Sequence, residues 1–324
     1  MKKVGKIMLV GIGPGHTDHM TARARSAIAE SDVVIGYSTY IKLVEDLLEG
    51  KLVIKKSMTE ELDRAVGAME HARAGKKVAL ISSGDAGVYG MAGPTYEVLF
   101  QTGWTPDSEI TVEVVPGASA LNTCAALVGA PLTHDFCSIS LSDLLTPWPV
   151  IARRLDAAAY ADFVVALYNP KSGRRTRQIV EAQRLFLRHR SPDTPVAVVK
   201  SAYRRRQNIE FTTLAHMSEC EIGMLSTVLI GNSNTFIRDG LMVTPRGYAN
   251  KYVVGSGDTK DGEKAGRSLS TGLLGWLETI RELHASGTST AKIAASYALP
   301  EAYVVEALSD NETAADTKVE EENA

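Results

Sequence analysis

Along this chain, short hydrophobic runs alternate with longer amphipathic stretches. Ile7–Val10, Asp32–Ile35, Leu52–Ile54, Lys77–Ile81 and Thr111–Val114 are brief apolar runs bounded by polar or glycine residues, the pattern of buried strands. Between and after them, Thr17–Ser31, Tyr40–Leu48, Glu60–Ala74, Ala92–Gln101 and Ser119–Val128 predict helices. Ala22, Ala27 and Ile28 share one side of the first, and Gly75 ends the third. Strand–helix alternation requires crossover connections, and therefore a mostly parallel sheet.

A second alternating unit begins near Phe136. Its strands are Phe136–Ser140, Asp162–Leu167, Val196–Val199 and Ser226–Ile230, and its helices Trp148–Ala159 and, after the NPKSG turn, Arg174–Arg188. Asn208–Thr213 and Leu241–Val243 read as antiparallel additions. GAPLTH, Gly129–His134, interrupts the periodicity and marks a boundary. The expected fold class is α/β: two α/β domains, residues 1–131 and 132–254. Residues 255–267, rich in Gly, Asp and Lys, read as a linker. Residues 268–310 read as a small helical extension, with Leu273–Ala285 amphipathic. Within it, Thr288–Leu308 has helix-turn-helix spacing, and Ile293, Ala294, Leu299, Val304 and Leu308 form one apolar set. Residues 311–324 are acidic and expected to be disordered.

Composition narrows the classes. In 324 residues, 44 % are hydrophobic and 23 % charged, the profile of a globular protein. The net charge of −3 gives no basic field for nucleic acid. Between Thr288 and Leu308 the only basic residue is Lys292, which favours a docking or dimer-stabilising role over DNA reading. No apolar run reaches the ~18 residues that span a bilayer. The N-terminal MKKVGKIMLV flows into a glycine turn with no small-residue cleavage site, so it reads as a first strand of a cytoplasmic protein. Cys124, Cys137 and Cys220 are too few and too dispersed for a disulfide framework or a zinc site, and no metal site is expected.

The chemistry-bearing motifs lie at strand ends. GIGPG, Gly11–Gly15, gathers backbone N–H groups between a strand and a helix. It departs from a dinucleotide fingerprint, because the sixth position is His16 and the second strand ends in Gly36 and Tyr37 without an acid. A structural turn or a ligand-facing loop remains. SSGDAGVYGMAG, Ser82–Gly93, spaces four glycines around Asp85, a lone acid that either caps the next helix or meets a ligand. VPGASA puts Ser119 and Ala120 at a helix start. His134, Asp135, Ser140, Ser142 and Asp143 form the densest acid/base run, readable as capping or as proton-transfer groups. Arginines cluster at Arg153–Arg154, in Lys171–Arg177 and at Arg204–Arg206, and such forks suit carboxylates. In an extended segment Arg204 and Arg206 would face one side and Arg205 the other. Asn169 precedes Pro170 and is therefore expected to be extended. No HExxH or CxxC motif occurs.

Together with TPRGY, Thr244–Tyr248, these motifs resemble the tetrapyrrole methyltransferase family over roughly residues 4–252. The SISLSDLLTPW run resembles the branch that methylates carbon 17 of a corrin precursor and contracts the ring in cobalamin biosynthesis. Where most of the family has GDP, this chain has Gly84-Asp85-Ala86. The resemblance implies S-adenosylmethionine as methyl donor, an active site in the cleft between the domains, and a homodimer. It implies donor contacts at Pro14, Ser83, Gly84, Asp85, Val88, Ser119, Ala120, Asn169 and Ala202, with Gly13 and Gly15 edging the tetrapyrrole. To these the residues themselves add Arg204 and Arg206 as carboxylate hooks. For the contraction they add His134, Asp135, Ser140 and Asp143 as acid/base groups. Three dispersed cysteines cannot supply the usual four thiolates, so no iron–sulfur cluster is expected. The expected partner is a corrin precursor, neither nucleic acid nor membrane. The alternatives are a same-fold methyltransferase acting on another corrin carbon, a diphthamide precursor or rRNA, and a non-enzymatic tetrapyrrole sensor whose tail reads DNA.

Overall fold

The structure is a computed structural model that describes residues 5–57, 60–173, 175–269, 276–297 and 299–309. The acidic segment 311–324 lies outside the described residues.

The first sheet comprises β1 (Gly5–Gly11), β2 (Val33–Tyr37), β3 (Leu52–Lys56), β4 (Lys77–Ser82) and β5 (Ile110–Val115) in the order β3-β2-β4-β1-β5. Its neighbouring strands pair in parallel. Ile7, Met8, Leu9 and Val10 of β1 are all fully buried, because helices cover both faces of a parallel sheet. Those helices are α1 (Ala22–Ala29), α2 (Ser38–Lys42), α3 (Glu61–Arg73), α4 (Ala92–Gln101) and α5 (Ala120–Val128). Two predicted helices are shorter than expected. Thr21 caps α1 by accepting the N–H of Ala24 at 3.1 Å, so Thr17–His19 before it is a separate 3-10 turn. Tyr40–Leu48 divides into α2 and a 3-10 turn at Glu45–Leu47.

Next come β6 (Gly129–Ala130), β7 (Phe136–Ser140), β8 (Val164–Tyr168), β9 (Pro195–Lys200), β10 (Asn208–Thr213) and β11 (Ser226–Ile230). The second sheet runs β10-β9-β11-β8-β7 and is mixed: β7 and β8 are parallel, β8 and β11 antiparallel. α6 (Trp148–Tyr160) and α7 (Gln178–Phe186) pack their apolar stripes on it through Ile151, Leu155, Ile179 and Phe186. A buried cation is built into this core. The Arg190 guanidinium donates to the carbonyls of Ala158, Ala159, Phe163 and Gly231 and lies 5.0 Å over the Phe186 ring. Burial pulls its pKa down to about 10, and the carbonyls satisfy the charge that water no longer reaches. β12 (Phe236–Arg238) and β13 (Leu241–Val243) form an antiparallel hairpin, and β13 also pairs in parallel with β6.

The extension contains α9 (Trp276–Ala285) and α10 (Thr290–Tyr297), after the short α8 (Tyr248–Lys251), and residues 301–309 are helical. Ile280, Ile293, Ala294, Val304 and Ala307 give it a core of its own. It is tied to α6, where Tyr160 donates to Glu306 and its ring lies 5.9 Å from that of Tyr303.

Contacts divide the chain into two units. Residues 199–209 and 225–227 group with 1–127, and the second unit comprises 128–198, 210–224 and 228–324. Among the described residues, no helix is long and apolar enough to cross a membrane.

Candidate active site

In the first unit, three turns leave the carboxyl ends of β1, β4 and β5, where ligands collect in open α/β sheets. Gly13 and Gly84 exchange backbone hydrogen bonds, N–H of Gly13 to the Gly84 carbonyl at 3.0 Å and the reverse at 2.7 Å. Both have positive φ, 71° and 68°. A Cβ on Gly117 would stand 2.2 Å from the Gly84 carbonyl oxygen, and one on Gly11 2.7 Å from the Gly117 nitrogen. The turns therefore touch backbone to backbone, which only glycine permits.

Asp85 braces this arrangement. One carboxylate oxygen accepts the N–H of Gly87 at 2.7 Å, the other that of Gly117 at 2.9 Å. It is not the cap of α4, whose N-cap residue, Met91, makes no side-chain cap bond. Ser119 is buried and donates to Asn122 Oδ1 at 2.7 Å. Ala120, the first residue of α5, lies beside Gly84: a Cβ on Gly84 would stand 3.5 Å from the Ala120 nitrogen. Val88, farther along the β4 turn, is 38 % exposed.

The arginine triplet departs from the sequence expectation. Ser201 and Tyr203 have φ of 53° and 56°, so the chain around Ala202 turns instead of extending. Arg204 folds inward while Arg205 and Arg206 are exposed, so Arg204 and Arg206 do not share a face. Arg204 donates from Nε to the Pro14 carbonyl at 2.6 Å and from Nη2 to Ser83 Oγ at 2.8 Å. A Cβ on Gly15 would come within 2.9 Å of that Nε, which gives Gly15 a structural reason. Burial lowers the Arg204 pKa, with Tyr40 and Cys124 acting weakly the other way. Pro14, Gly15, Ser83 and Arg204 are thus brought together. The Cys124 thiol, pushed by burial to about 11, is kept protonated and unreactive.

In the second unit, the end of β8 corrects another expectation. Asn169 has φ 49°, the left-handed region that asparagine tolerates, despite the following proline. Its Nδ2 donates to Ser140 Oγ at 3.0 Å. Arg175 donates to the Asn169 carbonyl at 2.8 Å and to Ser142 Oγ at 3.2 Å, and Gln178 Nε2 donates to Asp143 at 2.7 Å. Arg175 Nε and Gln178 Oε1 are buried without a hydrogen-bond partner. Ser140, Ser142, Asn169 and Arg175 thus share one network, and Asp143 pairs separately with Gln178. Arg175 belongs to a basic run visible in the sequence, while nothing in the sequence singles out Gln178.

His134 and Asp135 are not part of that network. They precede β7, whereas Ser140 ends it, and five residues at about 3.3 Å each separate them. His134 Nδ1 accepts the Asp135 N–H at 2.8 Å. Both line a cavity of about 290 Å³ with Tyr160, Asp162, Tyr297 and Tyr303. The expected acid/base run is therefore two sites at opposite ends of a strand.

This arrangement of glycine turns at strand ends is matched by a sequence-wide likeness. The family model for Tetrapyrrole (Corrin/Porphyrin) Methylases matches residues 6–218. The chain belongs to this family. A "Cobalt-factor III methyltransferase" of Priestia megaterium is 60 % identical over 250 residues, 77 % of this chain and 46 % of that protein. The chain thus spans about half the length of that relative. A "Probable cobalt-factor III C(17)-methyltransferase" of Salmonella typhimurium is 47 % identical over 242 residues, 75 % of this chain and 99 % of that protein. The solved structure of the methyltransferase CobJ superposes with a TM-score of 0.70 at 33 % identity, covering 74 % of this chain and 100 % of that one. The region that makes this chain a tetrapyrrole methylase is its α/β body. The family match ends at residue 218, well before the helical extension.

Proposed function

We propose that this chain transfers a methyl group from S-adenosylmethionine to carbon 17 of a cobalt-bearing corrin precursor, cobalt-factor III, with contraction of the ring, in cobalamin biosynthesis. The observation that carries the reading is the interlock of Gly11, Gly13, Gly84 and Gly117 in a chain that is 60 % identical to a cobalt-factor III methyltransferase.

The residues present suit such a donor. Turns without side chains let a ligand approach main-chain N–H and carbonyl groups, as an adenosyl and amino-acid portion requires. Pro14, Ser83, Gly84, Asp85, Val88, Ser119, Ala120 and Ala202 would hold it in the first unit. When bound, the donor supplies a methyl already activated on a sulfonium. The chain's own task is then to orient the acceptor and exclude water. Asp85 acts through the turns it braces rather than as a free carboxylate. Contraction also needs proton transfers. Ser140, bonded to Asn169 at the carboxyl end of β7, and Asp143 on the loop that follows are better placed for them than His134 and Asp135, which precede that strand. For Arg204 we favour a positioning role over a substrate hook, since two of its donors are engaged by Pro14 and Ser83. A homodimer is part of the proposal.

The test is anaerobic incubation with methyl-labelled donor and either cobalt-factor III or metal-free precorrin-3B, followed by product mass. Label in a ring-contracted product from the cobalt form supports the reading. Transfer to precorrin-3B alone moves the substrate to the metal-free form, and transfer to neither overturns it.

A further inference from the structure

The segment after β7 carries a feature that the methyl-transfer reading leaves unused. Leu144 is 72 % exposed and Leu145 92 %. A single surface leucine needs no explanation, but two adjacent ones on an anchored loop do. The base of the loop is fixed at successive residues. The Leu141 N–H bonds the Tyr168 carbonyl at 2.9 Å, Ser142 receives Arg175, and Asp143 receives Gln178. On the far side Pro147 and Trp148 start α6, with Trp148 packed against the second core. A loop pinned in this way holds its tip outward, so the leucines stay in solvent although their burial would be favourable.

The tip stands at the carboxyl ends of β7 and β8, beside the strained Asn169 turn. The guanidinium of Arg175 lies at its base, bonded to Ser142 and Asn169, with its Nε buried and without a hydrogen-bond partner. An apolar tip above a cation suits one ligand chemistry, a broad apolar ring with carboxylates on its rim. We infer that Leu144 and Leu145 are specificity-determining residues that lie against the face of the tetrapyrrole, on a loop positioned by Arg175 and Gln178. This rests on the proposed function and names how the acceptor is held.

The experiment uses the full chain and three readouts. The first is tryptophan quenching on titration with uroporphyrin III, a porphyrin with eight carboxylates, Trp148 being next to the loop. The others are S-adenosylhomocysteine affinity by calorimetry and molecular mass by sedimentation. Leu144→Ser/Leu145→Ser should raise the porphyrin Kd tenfold or more and leave S-adenosylhomocysteine affinity and mass unchanged. Leu144→Met/Leu145→Met should restore porphyrin binding. An unchanged porphyrin Kd in the serine variant overturns the inference, and so does a fall in mass, which would make the tip a contact between copies. If the wild type methylates no tetrapyrrole and binds no porphyrin, the proposed function falls and this inference with it. If the wild type is active and the serine variant indistinguishable from it, only the inference falls.

Discussion

Arg204 donates to the carbonyl oxygen of Pro14 at 2.6 Å, so a side chain that reads as a carboxylate hook instead ties the turn after β1 to the turn after β4. Arg204→Ala removes two hydrogen bonds from a half-buried cation, worth about 1.5–3 kcal/mol together with the loss of turn alignment. Calorimetry should show weaker S-adenosylmethionine binding by one to two decades, and thermal unfolding a lower Tm. Arg205→Ala and Arg206→Ala, both exposed, should stay within about 0.5 kcal/mol of wild type.

Asp85 separates bracing from direct recognition. Asp85→Ala strands the N–H groups of Gly87 and Gly117, so stability and donor affinity should fall together, stability by roughly 1.5–3 kcal/mol. Urea unfolding and calorimetry on the same preparation check this. Reduced affinity with unchanged stability would return Asp85 to a ligand contact.

Two glycines, Gly117 of the β5 turn and Gly93 at the start of α4, should behave differently. Gly117→Ala forces a methyl to 2.2 Å from the Gly84 oxygen, and should unfold the turns or cost roughly 3 kcal/mol or more. Gly93→Ala, in the first turn of α4 with nothing but its chain neighbours within 4 Å, should change stability by no more than about 1 kcal/mol, because the helix gain of a Cβ is offset by its clash with the following Pro94. Chemical denaturation measures both.

The Arg23 guanidinium, aided by Lys6, holds the Glu113 carboxyl down to about 2 from an ordinary 4.5. A depressed carboxylate contributes stability that is present in full above its unfolded pKa and lost as pH falls through the folded one. Glu113→Gln should therefore lower the Tm at pH 7, and the gap to wild type should close between pH 4.5 and 2. A gap that stays constant across that window would rule out the ion pair as its cause.

Much of the fold is legible in the sequence because apolar runs are sharply bounded. β7 and β11 occupy the residues those runs mark, Phe136–Ser140 and Ser226–Ile230. Helix starts are less so: Thr21 caps α1 although Thr17 upstream offers the same chemistry. The site is legible where glycine spacing carries it, around Gly13, Gly84 and Gly117. It is not legible where non-glycine residues take positive φ: serine and tyrosine do not announce such a turn at Ser201 and Tyr203, and at Asn169 the following proline points to extended backbone instead. His134 and Ser140 look like neighbours because they are close along the chain, but the extended strand between them holds them apart in space.

Because Gly11, Gly13, Gly84 and Gly117 meet through main-chain atoms, the spacing of the three turns is set by backbone contact, with Asp85 and Arg204 as side-chain ties between them. Substitutions at the exposed Val88 or the half-buried Ala118 can retune what the turns present while the frame keeps its dimensions. Ligand preference and scaffold stability are thereby written largely in different residues, and a library randomised at those two positions with the glycines fixed should yield mostly folded proteins of altered affinity.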